Sequence, residues 1–494
     1  MWTHRRYGMK LAAFALIVVL LLGALNRLLM LEKYYNHNWP ETSTYEKFYE
    51  VERDTIDVLF LGSSHCVSAF SPQELYNTYE ITSYNLGSEQ QSVLVSYYWL
   101  REALQYQTPK AVVLDTYIVF PYKTATALNS SEAAVRLAID PMRWSSVKRE
   151  AVHTICETDE NQTELSYYLT NFRYHGRWSD LTENDFTYFS MSDHEALMGY
   201  SALSGCSGNQ NYTPFEPGSA EEKAEPAELM LEYLDKIVDL CKAEGIELIL
   251  VKTPSTAASV EKYNYLAQYA DSRDIEYVDY NAQSVYEETG YEFASDNHDG
   301  GHLNVWGAKK VTDYIGNVLV EEYGFTAHQD SQWEKSDAYY ETVMQDCELT
   351  KVTDIYQYLE LLDNDRYTIF MAVKDDVSDA LDAQLLELMC SLGLSASLEN
   401  LYQGSYYAVI DGDQVWEEAG YETLTCKGSI RNGAELYEIT SEGMIAGNSC
   451  SILIDETEYA KGKRGLNIVV YCNDSKKVID SVCFDTSEGL AASR

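Results

Sequence analysis

Two short stretches, far apart in the 494-residue chain, hold the residue types that nucleophilic acyl chemistry needs. The first is Leu59-Phe60-Leu61-Gly62-Ser63-Ser64-His65, an apolar run ending in glycine and then in hydroxyl side chains. A serine just past a buried strand stands at the sheet edge where open α/β proteins bind their ligands. Backbone N–H groups that follow it can face a developing oxyanion. Strand-Gly-Ser-Ser alone more often marks a turn or a helix N-cap, so the serine requires a partner. The second stretch supplies one, in Asp299-Gly300-Gly301-His302-Leu303-Asn304. A carboxylate three residues before a histidine, in a glycine-containing loop, can orient the imidazole while its other ring nitrogen faces a serine hydroxyl. Asn304 suits the N-cap of the helix that follows. Asp296 and His298 are a second acid and histidine close together. They read as a solvated loop, and Asp299 with His302 is preferred because Leu303-Asn304 follows.

These residues must be positioned by a scaffold, and the pattern around them is α/β. Val/Ile/Leu-rich runs at 57–61, 111–114, 246–251 and 275–278 read as buried parallel strands. Amphipathic helix patterns lie between them, most plainly at 226–243 and 308–323, each followed by a capping glycine, Gly245 or Gly324. Residues from about 122 to 225, rich in Tyr, Asn and Ser, read as a helical insertion in a domain spanning 34–327. The segment 328–336 is polar and lacks periodicity, so it marks the domain boundary, and 328–350 reads as a linker. A smaller α+β domain, 351–494, follows, with strands at 367–373, 406–410, 451–454, 466–471 and 478–484 and a helix at 378–391. In the insertion, Tyr174-His175-Gly176-Arg177-Trp178 combines aromatics with a cation; His175 and Arg177 are candidate substrate contacts, and a buried aromatic corner is an equal reading.

The N-terminus points to a membrane. His4, Arg5, Arg6 and Lys10 precede an apolar run at 11–25, which Arg27 interrupts before 28–31. That length is enough to cross a bilayer if Arg27 snorkels. The basic leader would stay inside and everything after it face outward. No small-x-small cleavage site follows, so residues 1–33 read as a leader and retained anchor rather than a removed signal. A net charge of −42 excludes nucleic-acid binding through phosphate neutralisation. Ten cysteines without C-x-x-C spacing read chiefly as small core residues; pairing among Cys426, Cys450, Cys472 and Cys483 is left open. No histidine spacing suggests a metal, no glycine-rich loop a nucleotide, and no cofactor is expected.

Gly62-Ser63-Ser64, Asn85-Leu86-Gly87 and Asp299-x-x-His302 together resemble the first, second and last blocks of the SGNH (GDSL-type) esterase and acyltransferase superfamily. The likeness covers about residues 35–325. It is strongest to the teichoic acid D-alanyl transfer and polysaccharide O-acetylation proteins, which share an N-terminal anchor. It implies a three-layer, flavodoxin-like parallel-sheet domain with Ser64 as nucleophile, His302 as general base and Asp299 as its orienter. The N–H groups of Ser64 and Gly87 would form the oxyanion hole, with Asn85 in the supporting block. The third block should bring an asparagine side chain as a further donor, and this chain reads Asp115-Thr116-Tyr117 there. Losing such a donor can cost about 100- to 1000-fold in kcat; His65 and Thr116 are the candidate replacements. Residues 365–487, with Lys463-Arg464-Gly465-Leu466-Asn467-Ile468-Val469-Val470 and Phe484-Asp485-Thr486, resemble the interleukin-like EMT inducer domain and the stem domain of a protein O-mannose N-acetylglucosaminyltransferase. This implies a carbohydrate-binding or positioning module.

The resulting expectation is a membrane-anchored, extracytoplasmic serine esterase or O-acyltransferase acting on acyl, foremost acetyl, esters of a cell-surface polysaccharide or cell-wall polymer. Since cytosolic acyl donors cannot reach it directly, the family analogy implies a multi-spanning membrane O-acyltransferase as partner. The rival expectation is a non-catalytic glycan-binding surface protein with a degenerate SGNH domain. A lipase-like hydrolase would need a broad apolar lid, which the sequence does not display.

Overall fold

Residues 2–30, 43–120, 132–181, 185–186, 197–206, 211–219, 221–378, 380–395, 398, 400–431, 433, 435–486 and 489–494 are described by a computed structural model, in two compact units, 1–342 and 343–494. Four apolar runs and one short polar one build the sheet of the first unit. They are β1 (Val58–Leu61), β2 (Ser83–Asn85), β3 (Ala111–Asp115), β4 (Glu247–Lys252) and β5 (Glu276–Asp279), all parallel, in the order β2-β1-β3-β4-β5. Phe60 is in register with both Asn85 and Val113, so β1, β2 and β3 end close together.

Alternate residues of each strand face opposite sides. Leu59, Leu61, Val112, Leu114, Leu248 and Leu250 join one core with the helices Val93–Ala103 and Glu228–Glu244. Val58, Phe60, Val113, Ile249 and Val251 join a second core with the helices Pro72–Tyr79 and Val305–Glu321. Burial on both faces is why these strands read as unbroken apolar runs. This is the three-layer parallel-sheet arrangement expected. Gly245 ends the helix Glu228–Glu244 in the left-handed conformation, at φ 71°.

Between β3 and β4 lie the helices Glu132–Ile139, Ser146–Thr158, Glu164–Tyr168 and Asn171–Tyr174 and the tight turn His175–Ser179. The N-terminal helix runs Trp2–Leu29, and its stretch Tyr7–Leu29 has a mean hydropathy of 2.4, long and apolar enough to cross a membrane. The division between units falls inside the expected linker 328–350, which contains the helix Ser331–Leu349, begun within the stretch 328–336 that reads as aperiodic. Its periodicity is hidden because polar side chains are used in its contacts. Tyr340 donates its hydroxyl to Glu74 at 3.0 Å, and Ser336 to Gln73, beside the buried Trp333.

The second unit is α+β. Its sheet comprises β6 (Tyr367–Asp375), β7 (Ser405–Asp411), β8 (Gln414–Gly420), β9 (Leu424–Ser429), β10 (Leu436–Gly443), β11 (Ser449–Ile454), β12 (Thr457–Glu458), β13 (Gly465–Cys472), β14 (Lys477–Phe484) and β15 (Ala492–Ser493). Central β6 lies between β13 and β7, both antiparallel to it. The helices Ile355–Leu362 and Ala383–Ser391 cover one core. The expected helix at 378–391 starts later, where Asp382 caps it by accepting from the Leu385 N–H at 2.8 Å. All ten cysteines are free thiols.

Candidate active site

The site is built where β1 leaves the sheet. β2 lies on one side of β1 and β3 on the other, so the strand order reverses there, the crevice in which open α/β sheets bind ligands. Gly62 turns the chain at φ 150°, a conformation that favours glycine. A Cβ there would lie 2.6 Å from the Asp115 Cβ and 3.0 Å from the Cys66 Cβ. Ser63 then caps the short helix Ser64–Ala69, its Oγ accepting from the His65 N–H at 3.3 Å and donating to Asp115 Oδ2 at 2.9 Å. Ser64 is the first helical residue. Its N–H therefore belongs to the turn whose donors the helix itself leaves unused.

From 238 residues along the chain, His302 meets it, with Nε2 2.9 Å from Ser64 Oγ. On the other side of the ring, Nδ1 lies 2.8 Å from Asp299 Oδ2. The second Asp299 oxygen accepts from the N–H groups of Gly301 and His302 at 2.8 and 2.9 Å. Partial burial pushes the Asp299 carboxyl up, but the hydrogen bonds from the His302 ring and the two backbone groups prevail, holding it below its usual range. An ionised Asp299 makes Nδ1 the protonated nitrogen, so Nε2 accepts the Ser64 proton. Asn304 caps the next helix by accepting from the Gly307 N–H at 3.1 Å, which anchors the loop.

The alternative pair is occupied elsewhere. Asp296 binds Lys310 at 2.7 Å and the Glu292 N–H, while His298 Nδ1 accepts from the Gly205 N–H at 3.2 Å.

The expected oxyanion donors fare unequally. The Gly87 N–H is donated to Asn85 Oδ1 at 3.1 Å, so in this state it does not face open space. Asn85 is fully buried, and its Nδ2 donates to the carbonyls of Cys66 and Phe70 at 3.0 and 3.1 Å, which ties β2 to the helix Ser64–Ala69. Thr116 is withdrawn from the site, since its hydroxyl donates to the Val251 carbonyl at 2.8 Å. His65 remains beside it. Its ring stacks on Tyr117 with centroids 3.7 Å apart and stands 5.1 Å from the His302 ring. Burial above all, then the neighbouring Lys252 ammonium and the closeness of the His302 ring, push its pKa well below the ordinary value, so the ring is neutral and keeps one N–H to donate. Gly301 permits this approach, because a Cβ there would fall 2.7 Å from His65 Cε1.

His175 and Arg177 are not brought to Ser64. His175 Nδ1 lies 3.1 Å from the Phe172 carbonyl, and Arg177 binds Asp185 at 2.7 Å and the Met30 carbonyl. Tyr174 is buried with its hydroxyl donated to Asp140, so of this aromatic group only Trp178 is presented to the exterior.

Sequence reasoning missed the charged layer under the site. Asp115, Lys252 and Asp279 end β3, β4 and β5 and are all buried. Burial pushes Lys252 down to about 8 against the opposing pull of Asp115 and Asp279; it pushes both carboxyls up, though Lys252 and hydrogen-bonding neighbours oppose it. The available signal was an ionisable residue closing each of three consecutive apolar strands. A cavity of about 580 Å³ opens at the opposite end of the sheet, beside Lys110 and Glu247 where β3 and β4 begin, and neither serine nor histidine lines it.

No family model matches the chain, and no curated protein matches it. Solved structures do match. One is the crystal structure of a Bacteroides fragilis NCTC 9343 protein provisionally described as an acylhydrolase, with 13% identity, coverage of 56% of this chain and 94% of that chain, and a TM-score of 0.26. So loose an overlap carries no argument, and the chemistry rests on the distances between Ser64, His302 and Asp299.

Proposed function

We propose that this chain is a membrane-anchored, extracytoplasmic SGNH-type serine esterase or O-acyltransferase acting on acyl, foremost acetyl, esters of a cell-surface polysaccharide. The observation that carries this reading is the unbroken line Ser64–His302–Asp299 at the carboxyl edge of a parallel sheet. Ser64 Oγ attacks the ester carbonyl carbon as its proton passes to His302 Nε2. The tetrahedral oxyanion meets the Ser64 N–H, and the neutral His65 ring, 5.1 Å from the His302 ring, is the candidate for a second donor. Collapse breaks the bond to the alcohol oxygen, which takes the proton from His302 and leaves an acyl group on Ser64. A sugar hydroxyl or water then gives its proton to His302 and its oxygen to the acyl carbon, and Ser64 recovers the proton. Asp299 stays ionised and steadies the imidazolium. Transfer and hydrolysis differ only in the acceptor, and a multi-spanning acyltransferase would supply acyl groups from the cytoplasmic side.

The test is acetyl release or transfer with acetylated oligosaccharides, comparing the full chain with Ser64→Ala. The variant should lose all activity above background, and wild-type activity in it would refute the assignment. A second reading, a glycan-binding protein with a degenerate site, draws on Asn85 occupying the Gly87 N–H and on Asp115 standing where an asparagine donor is expected. Failure of Ser64 to react with a fluorophosphonate, with retention of glycan binding, would favour it.

A further inference from the structure

The insertion carries large apolar side chains that no core covers. Trp178 is 74% exposed, Phe172 63%, Leu165 56% and Trp144 53%, with Leu169 and Tyr168 close behind. Trp144 and Tyr168 stack on each other with centroids 5.1 Å apart, a ready-made flat pair rather than loose side chains. The same segment is fastened to the N-terminal helix. Thr170 Oγ1 hydrogen-bonds Asn26 Oδ1, the Asn171 N–H donates to that oxygen at 3.0 Å, Asn171 Nδ2 reaches the Leu22 carbonyl at 3.4 Å, and Arg177 binds the Met30 carbonyl.

These contacts fix a depth. Leu22 lies seven residues before Leu29, where the apolar stretch ends, which is about 10 Å at 1.5 Å per residue. The whole stretch of 23 residues measures roughly 35 Å against a hydrocarbon core of about 30 Å. A segment hydrogen-bonded as far down as Leu22 therefore lies on the membrane side of the helix end, at the 5–10 Å depth reached by elements that lie in the headgroup boundary. Trp and Tyr are the residues that favour that boundary. Attraction to anionic lipid has little to act on in a chain of net charge −42, and Arg173 is already paired with Glu132 at 2.8 Å.

We propose that the insertion's apolar face, formed by Trp144, Leu165, Tyr168, Leu169, Phe172 and Trp178, is seated in the outer interface of the bilayer that the N-terminal helix crosses. This rests on the anchored reading above and goes beyond it, because the first unit then has two attachments to the membrane, a span and a surface. Its binding is to neutral lipid and is driven by apolar contact.

The full chain in phosphatidylcholine nanodiscs, with plain or brominated acyl chains, tests this. Bromine quenches tryptophan fluorescence on contact, so the bromolipid-quenched component should shrink in Trp178→Phe and shrink further with Trp144→Phe added. It should not change in Trp416→Phe, a half-exposed tryptophan of the second unit. Equal quenching in wild type and the double variant overturns the proposal. Alkaline extraction separates the two claims: release of the chain from vesicles defeats the anchor and this surface with it, whereas retention with unchanged quenching defeats the surface alone. A photoreactive p-benzoylphenylalanine replacing Phe172 should cross-link to lipid in native membranes. Its cross-linking to a protein instead would assign the face to a membrane-protein partner and overturn the proposal.

Discussion

Asp299 commits both carboxylate oxygens to the loop that carries His302, one to the ring and one to two backbone N–H groups. Replacing it with asparagine keeps the shape but lets the amide N–H₂ meet Nδ1, which favours the tautomer whose Nε2 cannot accept from Ser64. Asp299→Asn should therefore lower kcat by roughly 10³- to 10⁴-fold with an unchanged fold, measurable as acetyl-ester turnover beside circular dichroism. His65 makes a different prediction. Its folded pKa lies well below 6.5 because burial disfavours the cation. The unfolded chain thus binds the extra proton first as pH falls. Stability should decline as pH drops below about 6.5, by up to about 1.4 kcal/mol per pH unit, until the folded-state value is reached. Melting curves from pH 7 to 5 should show this slope in wild type and a shallower one in His65→Asn; parallel slopes would assign the acid limb to other groups. Ser64, His302 and Asp299 could be singled out from residue type, spacing and resemblance, and the structure brings them within hydrogen-bonding distance. Asp115 and Lys252 could not be singled out, since their meaning depends on adjacent strands ending side by side.

At the scale of elements, the turn from β1 into the helix Ser64–Ala69 positions the Ser64 hydroxyl beside His302. Gly62 holds a φ that a side chain resists and has no room for a Cβ. Gly62→Ala should cost roughly 1–3 kcal/mol of stability and displace Ser64, read as a lower urea midpoint together with loss of fluorophosphonate labelling. Loss of neither would show that the turn relaxes without moving Ser64. Strands β1, β3 and β4 were readable from their buried aliphatic runs, and β5 from the apolar residues Ile275, Tyr277 and Val278. β2 was not: Ser83-Tyr84-Asn85 has no apolar run and is a strand only because β1 pairs with it. In the second unit β8, β9 and β10 were overlooked for a related reason. Tyr437, Ile439 and Ser441 face inward while Glu438, Thr440 and Glu442 do not, a period-two pattern that a strand covered on one face produces without any apolar run.

For the whole molecule, the chain forms two compact units with separate cores. Calorimetry of the full chain is expected to show two transitions. Tyr358 is buried in the second unit and donates its hydroxyl to Asp480 at 2.9 Å. Tyr358→Phe should lower one transition by about 1 kcal/mol and leave Ser64 reactivity unaltered; a single cooperative transition, or a shift of both, would contradict independent units. The division between the units falls inside the expected segment 328–350, but the helix there is not legible because polar residues pack by hydrogen bonding, as Ser336 and Tyr340 do, and a hydropathy pattern does not register such contacts.

What residue order alone settles here is local: which runs are apolar enough to be buried, where glycine and serine end them, which acid sits three residues from a histidine, and that the first thirty residues include a helix long enough to cross a bilayer. Tertiary structure decided which groups meet. It placed His302 against Ser64, turned the Thr116 hydroxyl away to Val251, gave the Gly87 N–H to Asn85, and fastened Arg177 to the Met30 carbonyl, just past the N-terminal helix, rather than to the site. The physical reason is that a hydrogen bond depends on angles and distances of a few ångströms between groups brought together by folding, and each polar group takes whichever partner the packed core leaves within reach.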